Sequence, residues 1–303
     1  MSTSGEGWDE ASGPGLTALG LAAARTVETG RADRLIDDPL ARTLYLSAAV
    51  DLPMRLDWPA PQETLTPPEA LHLHGSRYIG LRTRVYDDFL LEHAHAGCPQ
   101  AVLLGAGLDT RAFRLPLPPS TRLLEVDQPA VLGYKRRVLA GQHVRPTCRH
   151  AMLGADLRAP GWPSTLSDLD PEAPTVWIAE GLLAYLTPSE QLDLLDAITG
   201  LSTPGSRLAF DRLLGNPQAD SRAAALTERS GLDMQSMLAG GEPPELLAAL
   251  EERGWEATVS PVADQAARYS RDLSDPFAEG DPAAQPPWLD TEFVFAHRVR
   301  CSS

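Results

Sequence analysis

The chain has 303 residues, of which 43% are hydrophobic and 22% charged, a balance typical of a globular protein with a sizeable core. Its 41 acidic and 26 basic side chains give a net charge of −15, and such a surface repels nucleic-acid backbones and anionic lipid headgroups. Its three cysteines show no paired spacing, and no leader-like or long apolar segment occurs, which argues against a disulfide framework, a metal site or a membrane anchor. We therefore expect a cytoplasmic protein whose partner is a small molecule, and a homo-oligomer is compatible with the sequence.

The first third of the chain has the pattern of helices. Residues 1–15 are rich in glycine, serine and acids and are predicted to be disordered. Apolar residues at helical spacing, bounded by glycine or proline, predict three helices with a proline-rich loop before the last one. The helices are Leu16–Thr29, Pro39–Val50 and Glu69–His95, and the loop is Leu52–Pro68. Residues 16–98 are therefore interpreted as an N-terminal helical segment that precedes a core at 99–303.

Short apolar runs bounded by turn residues dominate the rest of the chain. They predict strands at Ala101–Leu104, Thr121–Val126, Thr147–Leu153, Thr175–Ala179, Arg207–Phe210, Ala257–Val262 and Glu292–Val299. The stretches between them are long enough for helices, including Ser189–Gly200 and Glu245–Arg253. This alternation predicts an α/β fold with a mostly parallel, seven-stranded sheet and helices on both faces.

One segment of the predicted core interrupts this alternation. Gly215–Pro244 loses strand character and gathers Met234, Met237 and Leu238. Methionine-rich surfaces adapt to varied apolar ligands. We therefore interpret the segment either as an insertion that covers the edge of the sheet as an apolar lid or as a plain structural insertion.

A pair of glycines follows the first predicted strand. Gly105 and Gly107 lie just past Ala101–Leu104, where a missing Cβ lets the backbone approach a ligand closely. Thr110 stands where a dinucleotide fingerprint has its third glycine, so a nucleoside fits the pattern better than a pyrophosphate. The pair alone is equally compatible with a structural turn.

Acids follow the next three predicted strands. Asp127 comes twenty residues after Gly107, where a carboxylate can accept the hydroxyls of a ribose. Glu125 faces the same side of that strand, so the sequence leaves the choice between the two acids open. Asp156 follows the third strand and could accept the exocyclic amine of adenine, and Glu180 follows the fourth. Carboxyl ends of parallel strands meet at one edge of a sheet, which is where open α/β folds bind ligands.

Several stretches of the chain resemble a known family. They are Ala22–Thr29, Asp33–Ala41, Arg82–Phe89, Leu104–Arg111, Glu125–Pro129 and Ala179–Leu186. Over about Thr17 to Leu213 the chain resembles the leucine carboxyl methyltransferase-like family of class I S-adenosylmethionine-dependent O-methyltransferases, especially its bacterial branch. The resemblance implies a Rossmann-like class I methyltransferase fold with S-adenosyl-L-methionine as the cofactor.

The resemblance also implies roles for individual residues. The helix before the first strand would bind the methionine carboxylate through an arginine, for which we select Arg82 over Arg77 and Arg84. The other implied cofactor residues are Gly105 and Gly107 at the methionine end, Asp127 at the ribose, Asp156 and Leu157 around adenine, and Glu180 near the amino group.

The acceptor is predicted less directly. The bacterial branch includes enzymes that methylate carboxyl or hydroxyl groups of polyketides, which makes a small secondary metabolite the expected substrate. None of the seven histidines belongs to a recognisable motif, and a carboxylate, already ionised, needs no general base. Arg111 and Tyr185 could orient an acidic acceptor at the mouth of the site, or they could be scaffold residues.

Two other functions share these features. A nicotinamide-dependent oxidoreductase also has a strand, a glycine turn and an acid, although the third glycine is missing here. A non-catalytic binding protein could have kept the fold, since fold alone does not fix function.

Overall fold

In the computed structural model of the chain, residues 13–50, 54–213, 244–274 and 287–299 are described. Most of the predicted lid, Gly215–Pro244, and most of the predicted disordered N-terminus, 1–15, lie outside these residues and stay predictions. Gly13–Gly15 differ from the prediction, because they form the first turn of a helix that ends at Thr29. None of the described helices combines the length and apolar character needed to cross a membrane.

Seven strands form one sheet in the order β3-β2-β1-β4-β5-β7-β6. They are β1 (Gln100–Leu104), β2 (Arg122–Asp127), β3 (Arg149–Gly154), β4 (Thr175–Ala179), β5 (Arg207–Leu213), β6 (Trp255–Pro261) and β7 (Thr291–Arg298). The first five pair in parallel, whereas β7 runs antiparallel to both β5 and β6. The mostly parallel, seven-stranded sheet is confirmed.

Helices surround this sheet. They are α1 (Gly13–Thr29), α2 (Pro39–Leu46), α3 (Pro67–His95), α4 (Arg111–Arg114), α5 (Pro129–Gly141), α6 (Pro188–Gly200), α7 (Leu246–Glu252) and α8 (Val262–Arg268). The side chain of Asp38 caps α2 by accepting the N–H of Ala41 at 3.1 Å, and Thr187 and Glu190 form a capping box at α6. These caps explain why both helices begin at the proline that follows an aspartate or a threonine.

The core occupies both faces of the sheet because neighbouring strand residues point to opposite sides. Val102 and Leu104 of β1 belong to the cluster that packs under α6 and α7. Ala101 and Leu103 belong to the cluster that packs under α3 and α8. A third cluster joins α1, α2 and α5 beside the carboxyl edge. The strands are therefore packed between helices on both faces of the sheet, and polar side chains lie at their carboxyl ends.

Helix α3 reaches far beyond the strand that it precedes. Its 29 residues span about 43 Å at 1.5 Å per residue, against about 16 Å for a five-residue strand. It ends at His95, shortly before β1 begins at Gln100, so its first half projects past the carboxyl edge. There it packs against α1.

The contact between α1 and α3 depends on Gly80. A Cβ at Gly80 would lie 2.4 Å from Cδ of Glu28, a side chain that is fully buried and that accepts the backbone N–H of Leu35 at 2.7 Å. Gly80→Ala is therefore expected to lower the free energy of unfolding by about 1–3 kcal/mol, the usual result of overpacking, as measured by urea denaturation. The matched control is Gly133→Ala on α5, where a Cβ meets nothing within 4 Å and stability should rise by up to about 1 kcal/mol. Equal effects of the two changes would contradict the tight packing.

Candidate functional site

The glycine turn lies directly after β1. Gly105 has φ +65 and Gly107 has φ +50, a left-handed conformation that glycine adopts without strain. Among the residues that the structure describes, a Cβ at Gly107 would meet the Cβ of Ala18 alone, at 4.0 Å, whereas one at Gly105 would lie 3.0 Å from Leu182. The backbone of Gly107 is thus open to close approach from outside, as a ligand-binding turn requires.

Asp127 joins the end of β2 to this turn. Its Oδ2 accepts the N–H of Gly107 at 2.6 Å, and its Oδ1 accepts the N–H of Gln128 at 2.6 Å. Burial raises the pKa of this carboxyl, and the two backbone hydrogen bonds oppose that rise. Glu125, the other acid that the sequence left open, is fully buried and paired with Lys135. Between the two acids, Asp127 is therefore the one that faces the glycine turn.

Asp156 and Leu157 follow β3 at the same edge. The N–H of Ala155 donates to the carbonyl of Asp127 at 2.8 Å, which places this loop beside the end of β2. The carboxylate of Asp156 accepts hydrogen bonds from Arg158 at 2.9 and 2.8 Å, and these bonds lower its pKa. Leu157 is partly buried against the core. Adenine binding by this pair stays a prediction.

Arg82 meets Glu180 at the carboxyl end of β4. Its Nε donates to Oε1 of Glu180 at 3.0 Å, and its Nη1 lies 3.8 Å from Oδ2 of Asp211 on β5. The neighbouring arginines point elsewhere: Arg77 donates to the carbonyl of Ser274, and Arg84 pairs with Asp88. Among the three arginines that the sequence offered, Arg82 is therefore the one beside Glu180.

Buried charges around Arg82 affect the pKa values of two acids, Glu180 and Asp211. Burial by itself would raise the pKa of Glu180, but Arg111 and Arg82 outweigh it, and the pKa lies below its ordinary value. The pKa of Asp211 is raised by burial despite Arg82 and the hydrogen bonds from Gly181 and Tyr86. Glu180 is thus the firmly ionised member of the two.

Arg111 is surrounded by acids and is 2% exposed. Its Nε donates to Asp87 at 2.7 Å, its Nη2 lies 2.8 Å from Oε2 of Glu180, and it also pairs with Asp109. This geometry favours the scaffold role over substrate orientation. Tyr185 is partly exposed at the end of the short 3-10 turn Leu183–Tyr185 that follows β4. A role in orienting the acceptor stays a prediction for both residues.

Arg25 is a member of the site that the sequence analysis did not single out. Together with Thr83, Asp109, Arg111 and Glu180 it lines a small cavity between α1, α3 and the glycine turn. Its Nη2 donates to the carbonyl of Leu108 at 2.7 Å, and its Nε donates to Asp38 at 2.9 Å. The only signal in the sequence was its place in the stretch Ala22–Thr29, which carried part of the family resemblance.

The arrangement fits S-adenosylmethionine in chemical terms. The open backbone at Gly107 allows close approach, the Asp127 carboxylate lies beside it, and Arg82 and Glu180 offer both charges that a methionine end needs. Residues 18–199 match the family model described as leucine carboxyl methyltransferase. The chain belongs to this family. The matched region contains α1 to α6 apart from the first turn of α1 and the last residue of α6, together with β1 to β4.

Relatives support this family membership. A protein of Saccharopolyspora erythraea with the provisional name S-adenosyl-L-methionine-dependent methyltransferase is 40% identical over 279 residues, covering 89% of this chain and 93% of the relative. A protein of Mycolicibacterium gilvum with the same provisional name is 39% identical over 302 residues, covering 91% and 96%. The protein is therefore an S-adenosylmethionine-dependent methyltransferase.

Solved structures bear out the fold. A methyltransferase from Thermobifida fusca, named on a provisional basis, aligns with a TM-score of 0.52 and 21% identity over 92% of this chain and 94% of that one. A protein of the DUF574 family from Streptomyces avermitilis aligns with a TM-score of 0.52 and 15% identity over 91% and 96%. With its reversed β7 the sheet also differs from the strand order typical of dinucleotide-binding folds. The oxidoreductase alternative is thereby set aside.

Proposed function

We propose that this family member methylates an oxygen atom of a small, hydrophobic acid, with the carboxylate itself as the methyl acceptor. The observation that carries the proposal is the meeting of two features at one edge of the sheet. These are the Asp127 carboxylate bonded to the N–H of Gly107 and the buried Arg82–Glu180 pair. The resemblance to the bacterial branch supports a polyketide-like acid as the acceptor class.

The cofactor would be held at both of its ends. Arg82 suits the methionine carboxylate because a guanidinium pairs with a carboxylate through two parallel hydrogen bonds. Glu180, kept ionised by its arginines, suits the methionine ammonium. Asp127 would accept the ribose hydroxyls, Asp156 and Leu157 would border adenine, and Gly105 and Gly107 would leave room for the backbone to approach.

In this proposal the protein promotes methyl transfer by positioning the reactants, and it supplies no general acid or base. Bound S-adenosylmethionine supplies a methyl group on a sulfonium, which reacts by in-line displacement. The protein gains rate by aligning the acceptor and excluding water. A carboxylate acceptor requires no proton removal at neutral pH, which supports carboxyl methylation over hydroxyl methylation.

The chemical nature of the product tests this proposal. Tritiated S-adenosylmethionine is incubated with aliphatic acids, aromatic acids and matched phenols, and the extracted product is then treated with mild alkali. A methyl ester releases volatile methanol under these conditions, whereas an aryl ether or a methylamine does not. We expect alkali-labile label with hydrophobic acids.

Two other outcomes would contradict the proposal. Alkali-stable label would assign the acceptor to a phenol, an alcohol or an amine. Binding of S-adenosylhomocysteine without label transfer to any acid in a broad panel would support a non-catalytic binding protein. The control is Asp127→Ala, which should lose label transfer at low cofactor concentration.

A further inference from the structure

Lys135 is a fully buried lysine at the back of the cofactor site. It lies on α5, and its Nζ pairs with Oε2 of Glu125 on β2, with both side chains 0% exposed. On the other side of Glu125, Nε2 of His150 on β3 lies 3.0 Å from Oε1. One helix and two strands thus bring three ionisable side chains together below the carboxyl edge.

Stability alone gives a poor reason for such a pair. Removing an ammonium and a carboxylate from water costs several kcal/mol for each ion, and well-packed apolar residues of similar volume are often as stable or more stable. Net stabilisation of the core therefore does not by itself account for a charged pair at this place.

The position of Lys135 indicates that role. Glu125 and Asp127 lie two residues apart on one face of β2. The ammonium of Lys135 pairs with Glu125, so it lies one side-chain position back along β2 from the Asp127 carboxylate, which accepts the N–H of Gly107. Its positive charge acts on Asp127 more strongly than the negative charge of Glu125 does, and it also acts on Asp109 in the loop after the glycine turn. Asp127 has no guanidinium partner among the described residues, and burial disfavours its ionised form.

We propose that Lys135 is a positioning residue of the cofactor site, whose buried ammonium supplies the counter-charge that keeps the Asp127 carboxylate able to accept the ribose hydroxyls. The proposal rests on the proposed function, because it takes Asp127 as the ribose ligand. A protonated carboxyl loses its charge and one acceptor site, and hydrogen bonds to a charged group are about twice as strong as neutral ones.

Several ionisable groups near Asp127 have to be considered before the pH dependence of cofactor binding is assigned to one of them. Lys135 and Glu125 lie below Asp127 and His150 lies beyond Glu125, while Asp109, in the loop after the glycine turn, is also acted on by the charge of Lys135. Arg111 and Lys135 hold the pKa of Asp109 at about 2 against the effect of burial, so Asp109 stays ionised between pH 5.5 and 9. A loss of cofactor binding on the acid side of this range would therefore not come from Asp109.

The experiment is calorimetric titration of S-adenosylhomocysteine into the full chain from pH 5.5 to 9. Lys135→Met should bind almost as tightly as the unmodified protein at pH 8.5, and its acid limb should lie at higher pH by about one unit, so that the two affinities differ by up to about tenfold along that limb. Lys135→Arg should return the limb to its original position, because the charge is restored.

Matched variants separate charge from packing. Glu125→Gln removes the opposing charge and should displace the acid limb towards lower pH, whereas a purely structural pair would weaken binding equally in both variants at every pH. The double change Glu125→Leu with Lys135→Met removes both charges and should give a smaller upward displacement. It keeps the test available if Lys135→Met does not fold. His150→Gln should leave the displacement caused by Lys135→Met unchanged.

The outcomes distinguish this inference from the proposed function. If Asp127→Asn binds as tightly as the unmodified protein, the ribose assignment itself is wrong. If Asp127→Asn weakens binding while the profile of Lys135→Met coincides with that of the unmodified protein, the ribose assignment stands and the role of Lys135 is wrong.

Discussion

Arg111→Met is expected to lower the free energy of unfolding by about 3–5 kcal/mol, the usual cost of removing one partner from a buried ion pair. The guanidinium contacts Asp87 and Glu180 and pairs with Asp109, and it donates to the carbonyl of Thr83 at 3.2 Å. Methionine fills a similar volume without any donor. The change therefore leaves three acids in a buried region with fewer partners, and the loss should appear in urea denaturation followed by circular dichroism.

The control for Arg111 is an exposed arginine in an ion pair. Arg42 lies 3.3 Å from Asp57, with side chains 48% and 77% exposed, and such pairs contribute about 0–1 kcal/mol. Arg42→Met should therefore leave the denaturation midpoint almost unchanged. A stable Arg111→Met protein that binds S-adenosylhomocysteine normally but does not methylate its acceptor would contradict the scaffold role and support substrate orientation.

Asp127→Ala is expected to weaken the binding of S-adenosylhomocysteine by about 10–100-fold, equivalent to about 1.5–3 kcal/mol for hydrogen bonds to a charged group. The change removes the proposed ribose acceptor and also frees the N–H of Gly107, which now donates to Asp127 at 2.6 Å. The turn therefore loses an anchor together with the ligand contact. Calorimetry at pH 8 gives the affinity, and circular dichroism shows whether the variant is folded.

An exposed aspartate provides the comparison for Asp127. Asp193 is exposed on α6, a helix that carries none of the predicted cofactor residues, so Asp193→Ala should bind normally. Unchanged affinity in a folded Asp127→Ala protein would remove Asp127 from the site. The ribose would then need another acceptor, since Glu125 is fully buried against Lys135.

The strands were predictable because each is a short apolar run bounded by turn residues. Thr175–Ala179 matches the prediction residue for residue, and the other strands differ from it by a few residues at their ends. β5 is the clearest difference, since it continues to Leu213 instead of stopping at Phe210. The reason is its pairing with β7, where Asp211 lies opposite Phe293 and Leu213 opposite Thr291, a partner more than seventy residues away that local pattern does not contain.

The candidate-site residues at strand ends could be predicted from the sequence. The residues whose burial and partners depend on tertiary packing could not. Parallel strands bring their carboxyl ends to one edge, so Gly107, Asp127 and Glu180 could be placed together from spacing. Alternation placed Glu125 and Asp127 on the same face but not at the same depth, and only the buried partner of Glu125 separates them. Lys135 gave no signal, because a lysine on a helix is usually a solvated residue.

The reversed strand β7 affects the order in which the molecule can be completed during synthesis. β6 follows β5 in the chain, but it pairs with β7, which also lies between them in the sheet. On the ribosome, β6 therefore has no strand partner until residues 291–298 emerge. Until then β5 can pair with β4 on one side, but its other side is an unpaired edge. Asp211, which lies beside Arg82, is on that edge. Such distant pairings are slow to form and leave strand edges exposed meanwhile, so the edge of β5 that carries Asp211 is completed only after residues 291–298 have been synthesised.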